Sequence, residues 1–147
     1  MKSFKQFFEK TVIGLIERID IHGIGTIDAK IDSGNGAFNV LHGEDVERQG
    51  NKVTFTTVNG KRIIKDIIDT VVINVGAGNI EERPVVKFRM KFGGQEFDNV
   101  PFSIGNRTSN EYKVLVGKDF IKQLDALIDI DSNHIADKQI AVQVDTN

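Results

Sequence analysis

The chain is predicted to be mainly β: a small closed β-barrel, a single lobe carrying one short helix toward its C-terminal end. Three observations predict it. Short apolar runs rich in isoleucine, valine and threonine recur along the 147 residues, with the composition and length of strands rather than helices. Glycine-rich breaks, among them Asn59-Gly60 and Gly93-Gly94, fall between those runs, where hairpins need positive φ angles. In the body of the chain Lys118–Leu124 is the stretch with a helix-like pattern, and this order of elements suits a small barrel.

Residues 1–11 read as a leader and residues 12–147 as the domain. In the leader Phe4, Phe7 and Phe8 lie at helical spacing between lysines, as in a short surface helix docked by its aromatic stripe. Isoleucines dominate from Thr11 to Ile21, so a strand is expected there, with a bulge at Gly14. Gly23 and Gly25 punctuate a tight turn, and strand Thr26–Ile31 runs directly into Asp32-Ser33-Gly34. Asn35 and Gly36 keep that loop tight before Ala37–Leu41 turns apolar again. Lys52–Val58 and Lys61–Ile68 should pair as a hairpin across Asn59-Gly60, in a type I′ turn. Val71–Val75 and Pro84–Phe92 are strands on either side of the segment Gly76–Arg83. Gly93-Gly94 then returns the chain through Gln95–Ile104. Tyr112–Val116 reads as a short buried strand, and Ala126–Ile130 and Ile140–Val144 as closing strands. No repeat, low-complexity stretch or proline-rich linker divides the sequence.

A chain of 147 residues fits one domain and is long enough to bury a core. With 39% hydrophobic and 27% charged residues it has the composition of a soluble globular protein. A formal net charge of −2 gives no basic field for nucleic acid. No apolar stretch approaches the roughly 20 residues needed to span a bilayer, so neither nucleic acid nor membrane is an expected partner. The absence of cysteine excludes disulfides, thiolate catalysis and Cys-based zinc sites, and fits a reducing, cytoplasmic location. His22, His42 and His134 are scattered, without a His-Glu-x-x-His pair, and no phosphate-binding Gly-x-x-x-x-Gly-Lys-Ser/Thr loop occurs. No metal or cofactor is expected. His42 reads as a structural or surface histidine, with a place at the edge of a cleft as the other reading.

The chemistry rests on Asp32-Ser33-Gly34 at a strand end. Taken alone the tripeptide is a turn, because these residues dominate turns everywhere. Some 80 residues later a second apolar run ends in glycine, Leu115-Val116-Gly117. An Asp-hydroxyl-Gly loop paired with a distant hydrophobic-hydrophobic-Gly element is the layout of an aspartic-protease lobe. One lobe carries one such aspartate, whereas hydrolysis by this route needs two carboxylates sharing a proton, one as base and one as acid. Other carboxylates, Asp28, Asp119 and Asp125, read as solvated surface groups, and so do Glu81 and Glu82.

The surrounding residues strengthen that layout. Val12-Ile13-Gly14-Leu15-Ile16-Glu17, Ile27-Asp28-Ala29-Lys30-Ile31-Asp32-Ser33-Gly34 and Val40-Leu41-His42-Gly43 follow one another. Glu82-Arg83-Pro84-Val85-Val86-Lys87, Gly93-Gly94, Asn106-Arg107 and Leu115-Val116-Gly117-Lys118-Asp119-Phe120-Ile121 come later in the chain. In this order they resemble the retropepsin-like family described as ATP-dependent zinc proteases, whose bacterial members are associated with the RimK ligase. The resemblance covers roughly residues 12–130. It implies an acid-protease fold, a homodimer, a peptide or protein substrate and Asp32 as the catalytic residue contributed once by each protomer. Ser33 and Gly34 would support the active-site loop, and Leu115, Val116 and Gly117 would pack beneath it. Gly76–Arg83 would be the flap, with Gly76, Ala77, Gly78 and Asn79 at its bend, and the Lys52–Ile64 hairpin an insertion. The family association also implies trimming of glutamate tails.

Three departures from the family pattern bear on these expectations. Ser33 stands for a commoner threonine, Lys118 for arginine, and the Asn35–Asn39 segment is one residue longer and lacks the family's arginine. The last puts substrate contacts in question and keeps open a second class of function: a non-catalytic retropepsin-like module that binds peptide or builds a phage assembly. The leader resembles those that open proteins packaged into T4-like phage heads, which would place the chain in a host cytoplasm or a virion.

Overall fold

A computed structural model describes residues 11–36 and 38–138. Among the described residues, eleven strands and the helix expected from sequence follow in order: β1 (Thr11–Ile21), β2 (Gly25–Ile31), β3 (Asn39–His42), β4 (Glu44–Gln49), β5 (Lys52–Thr56), β6 (Arg62–Asp66), β7 (Asp69–Gly76), β8 (Asn79–Phe92), β9 (Gln95–Gly105), β10 (Val114–Val116), α1 (Lys118–Leu124) and β11 (Ala126–Asn133); residues 136–138 are helical as well. The protein is mainly β. Eight strands form one sheet in the order β11-β1-β2-β10-β3-β9-β8-β7, and β8 also pairs with β1 at Ile19, Asp20 and Ile21. Strands β4, β5 and β6 make a separate three-stranded sheet. The leader, Ala37 and the closing strand expected at Ile140–Val144 lie outside the described residues, apart from Thr11, which begins β1.

The period-2 pattern explains how the strands sort their faces. Along β8, Val86, Phe88, Met90 and Phe92 are buried while Lys87, Arg89 and Lys91 between them are exposed. Val100, Phe102 and Ile104 answer from β9, and Phe88 meets Phe102 edge to face at 5.8 Å. The helix spans the residues expected of it. It docks through Phe120, whose ring meets Phe92 at 5.9 Å and Phe97 at 5.1 Å, both edge to face, contacts worth about 0.5–1.5 kcal/mol each beyond their burial. Asp119 in the first turn and Lys122 in the last suit the helix dipole. The chain leaves at Asp125 in the left-handed region, φ 51°.

One hairpin turns as its glycines require, and another does not. Gly93 and Gly94 both have positive φ between the paired Phe92 and Gln95, as a two-residue type I′ turn needs. At Asn59-Gly60 the expected type I′ geometry is absent: Gly60 has φ 82°, but Asn59 is not in the positive region. Gly60 instead donates its N–H to Thr57 O (2.9 Å), and Thr57 N–H bonds Lys61 O (2.8 Å), a longer loop closed by a left-handed glycine. Asn59 has a different task, donating from Nδ2 to Ile24 O at 2.9 Å. That bond ties the β5–β6 hairpin to the β1–β2 turn.

The hairpin expected as an insertion thus belongs to a small sheet that also holds β4, a strand the polar sequence Glu44–Gln49 does not announce. It packs on the main sheet through Val53 and Phe55, both fully buried. Gly43 permits the approach, because a Cβ there would overlap the Ile104 methyl and sit 3.0 Å from the Phe55 ring.

Gly14 marks the expected irregularity: the β1–β11 register shifts between Gly14 and Ile16. The reason is space, since a Cβ on Gly14 would overlap the Ser132 carbonyl. Beside it Glu17, 2% exposed, accepts the N–H groups of Gly14 (2.6 Å), Ile135 (3.1 Å) and Ala136 (3.3 Å). This carboxylate satisfies three backbone donors and anchors the segment after β11. His134 Nε2 lies in hydrogen-bond contact with Asp28 Oδ1 at 3.0 Å.

Candidate active site

Strand β10 is three residues long and fills the gap between two others. It pairs in parallel with β2, Val116 opposite Ile31, and antiparallel with β3, Leu115 opposite Val40. This places the residue after β2, Asp32, against the end of β10. Asp32 donates its N–H to Val116 O at 2.9 Å. The Asp32 carboxylate receives the Gly34 N–H on Oδ1 at 3.1 Å, and Asn35 N–H closes the turn onto Asp32 O at 3.1 Å. Lys118, the first residue of α1, bonds Asn35 O at 2.9 Å. The loop is therefore held by a strand on one side and a helix start on the other. Asp32 is half-buried, and Ser33 and Gly34 are exposed. Of the residues expected beneath it, Val116 and Gly117 are buried and Leu115 is half-buried.

A residue the sequence reading left in a loop ties these pieces together. Asn39 is 4% exposed. Its Oδ1 accepts the Gly117 N–H at 2.8 Å, its Nδ2 donates to Pro101 O at 3.3 Å, and its carbonyl accepts the Ser103 hydroxyl at 3.4 Å. It joins β3, β9 and the hydrophobic-Gly element directly behind the Asp32 loop. No spacing in the sequence marks it, because its partners lie 62 and 78 positions away.

One arginine, Arg107, lies within electrostatic reach of the carboxylate, and a second, Arg83, lies within reach of the first. Burial lowers the Arg107 guanidinium pKa, Arg83 lowers it further, and Asp32 opposes both. Arg107 is thus within electrostatic reach of Asp32 and of Arg83 at once. Its Nε donates to Tyr112 O at 2.8 Å. Arg83 lies over Gly105, where an added Cβ would come within 2.8 Å of its Nε. The Arg83 Nε lies 3.4 Å from a Glu81 carboxylate oxygen, yet is buried and poorly aimed for a hydrogen bond. Glu81, read from sequence as solvated, is therefore held by Arg83, whereas Glu82 is exposed. Both arginines fall in segments that carry the family resemblance, but nothing in their spacing shows that they come close to one another.

The flap candidates form the tip of the β7–β8 hairpin. Most of the Gly76–Arg83 segment is strand rather than loop, with Ala77 and Gly78 alone as the turn between paired Gly76 and Asn79. Gly76, Ala77 and Gly78 have φ of 97°, 52° and 76°. The type I′ geometry expected at Asn59-Gly60 occurs here, with an alanine accepting a left-handed conformation that costs it about 1–2 kcal/mol. Arg83, on the same hairpin, is close enough to Arg107 for the two like charges to oppose one another. His42 is buried and belongs to the support of the Arg107 loop, its Nδ1 accepting the Arg107 N–H at 2.9 Å. Among the described residues no three histidine or carboxylate side chains gather as a metal site.

Comparison with known proteins follows the geometry. A Legionella pneumophila protein of unknown function, described as DUF785, has the same fold: TM-score 0.70 at 22% identity, over 87% of this chain and 99% of that one. No curated protein sequence matches. Residues 12–139 match the RimB-like family, described as retropepsin-like aspartic endopeptidase RimB. That match spans nearly all of the strands and the Asp32 loop together, and the chain belongs to the RimB-like family of retropepsin-like aspartic endopeptidases.

Proposed function

We propose that the protein is a homodimeric aspartic endopeptidase in which each protomer contributes Asp32 to one shared site. The observation that carries this reading is the Asp32 loop itself: a half-buried carboxylate on a loop whose backbone is bonded to Val116 and to the start of α1, with Ser33 and Gly34 exposed. In the dimer two such loops would meet, Ser33 and Gly34 bracing the contact. Carboxylates about 3 Å apart do not both ionise readily, so the pair holds one proton. The ionised Asp32 takes a proton from water as its oxygen attacks the scissile carbonyl. The protonated Asp32 of the other protomer gives its proton to the carbonyl oxygen. Collapse of the tetrahedral species returns a proton to the amine leaving group and restores the shared-proton pair.

The ring of pairings β1-β2-β10-β3-β9-β8-β1 supports reading the lobe as the closed barrel of that fold. The β7–β8 hairpin, with Gly76, Ala77, Gly78 and Asn79 at its tip, is the flap that would cover an extended peptide and exclude water. Arg107, within electrostatic reach of Asp32, and Arg83 next to it favour substrates with acidic side chains. Peptides bearing glutamate near the scissile bond should therefore be cleaved faster than their glutamine counterparts, and equal rates would remove the arginines from substrate recognition. Hydrolysis by wild type against Asp32→Asn tests the catalytic assignment, which equal rates would refute.

A further inference from the structure

We propose that His42 is a positioning residue: its neutral Nδ1 holds the backbone of Arg107 in place beside Asp32, so that acid releases the arginine. The proposal rests on the reading of Asp32 as the reacting carboxylate, and its structural half can be measured without any assay of cleavage.

His42 is 4% exposed and ends β3, opposite Gly105 at the end of β9. Its ring faces the point where the chain leaves β9 for the loop that carries Arg107. The Arg107 N–H donates to Nδ1 at 2.9 Å, which requires a lone pair on that nitrogen. The ring hydrogen is therefore on Nε2, which lies 3.4 Å from Glu44 Oε1. Glu44 in turn accepts the Thr108 hydroxyl at 2.8 Å, so the pair His42 and Glu44 grips two successive residues of the loop. The far side of the loop is closed by Lys113, whose Nζ donates to the carbonyls of Arg107 (2.8 Å), Thr108 (3.0 Å) and Asn110 (2.8 Å). The His42 N–H is itself spent on Lys113 O at 2.8 Å.

Protonation of Nδ1 would set an N–H against the Arg107 N–H, donor facing donor, and the bond would be lost. The charged groups around the ring are Glu44 on β4, 3.4 Å from Nε2, and Arg107 and Lys113 on the loop. Without the bond to Nδ1 the Arg107 backbone is still held at its carbonyl, by Lys113 Nζ and the Asn110 N–H, but its N–H side is released, and the charge arrangement of the site changes. Because Asp32 also takes part in acid–base chemistry, an acid limb in the activity profile alone would not identify His42.

Three variants separate the roles. Asparagine at this position offers an amide oxygen where Nδ1 stands and does not titrate; leucine offers no acceptor. His42→Asn should keep near wild-type kcat/KM at neutral pH and lose less of it in acid than wild type does. His42→Leu should fall by about 10²-fold, the cost of misplacing a group at a reacting centre by about 1 Å. Glu44→Gln keeps an acceptor for the Thr108 hydroxyl and should preserve neutral activity. Independently of cleavage, the ring nitrogens should report the Nε2–H tautomer at neutral pH, and the Arg107 amide resonance should shift along with the His42 ring as it titrates. Should His42→Leu not fold, that wild-type titration still decides the matter. An Arg107 amide indifferent to His42 titration, or an Nδ1–H tautomer, overturns the proposal. Inactivity of every form with the coupled titration intact would refute the protease reading and leave the positioning role standing.

Discussion

Asp32→Asn is expected to lower kcat for peptide hydrolysis by about 10²–10⁴-fold, the range for loss of a general acid–base group, and to leave the urea unfolding midpoint nearly unchanged. The substitution is nearly isosteric. Asn keeps an oxygen to accept the Gly34 N–H that Asp32 Oδ1 now receives at 3.1 Å, and the Asp32 N–H bond to Val116 is a backbone bond that it does not touch. What disappears is the ability to take up and give back a proton. Both halves of the site lose it together, because each protomer would supply one. Steady-state hydrolysis and urea denaturation of the same preparations separate the two effects. A fall in stability equal to the fall in activity would mean that the carboxylate is a structural turn group.

Asn39→Ala should destabilise the fold strongly and weaken the site from behind. The side chain leaves two partners, the Gly117 N–H and the Pro101 carbonyl, at a position 4% exposed. Each buried group left without a partner costs about 1–3 kcal/mol, so the urea midpoint should drop visibly for a domain whose total stability is on the order of 5–15 kcal/mol. The consequence reaches Asp32, because Gly117 follows Val116, whose carbonyl holds the Asp32 N–H. Loss of kcat at temperatures where the variant is still folded is the expected companion result. Unchanged stability would show that solvent replaces the amide and that β10 does not need it.

The sequence and the structure agree where local chemistry decides. Lys118–Leu124 forms its helix because good helix formers follow a glycine at which a strand can end. Gly93-Gly94 and Gly14 behave as glycine's missing Cβ demands. Agreement ends where distant groups decide. Asn59-Gly60 has the residues of a type I′ turn, but Asn59 is recruited to Ile24 O across 35 positions, and the loop opens to allow it. Ala77-Gly78 takes that turn instead, on strands whose register leaves two residues between Gly76 and Asn79. Strand β4 is polar except for Val46 and lies at the edge of a sheet with most of its side chains in water, so no hydrophobic alternation announces it. At the site, Asp32 and Gly117 can be named from motif alone. Asn39, Arg83 and Arg107 cannot, since their roles arise only when β3, β8 and β9 are laid side by side.

The central claim is that Asp32 is half of a site completed by a second copy, and subunit mixing tests it most directly. A fixed amount of wild-type protein is equilibrated with increasing Asp32→Asn protein, and hydrolysis is followed at constant substrate. If the site is shared, wild-type protomers are drawn into mixed dimers holding a single aspartate, and activity should fall toward that of the variant as the excess grows. Activity that stays constant per wild-type protomer, however much variant is added, would contradict the account and place the whole of the chemistry within one chain.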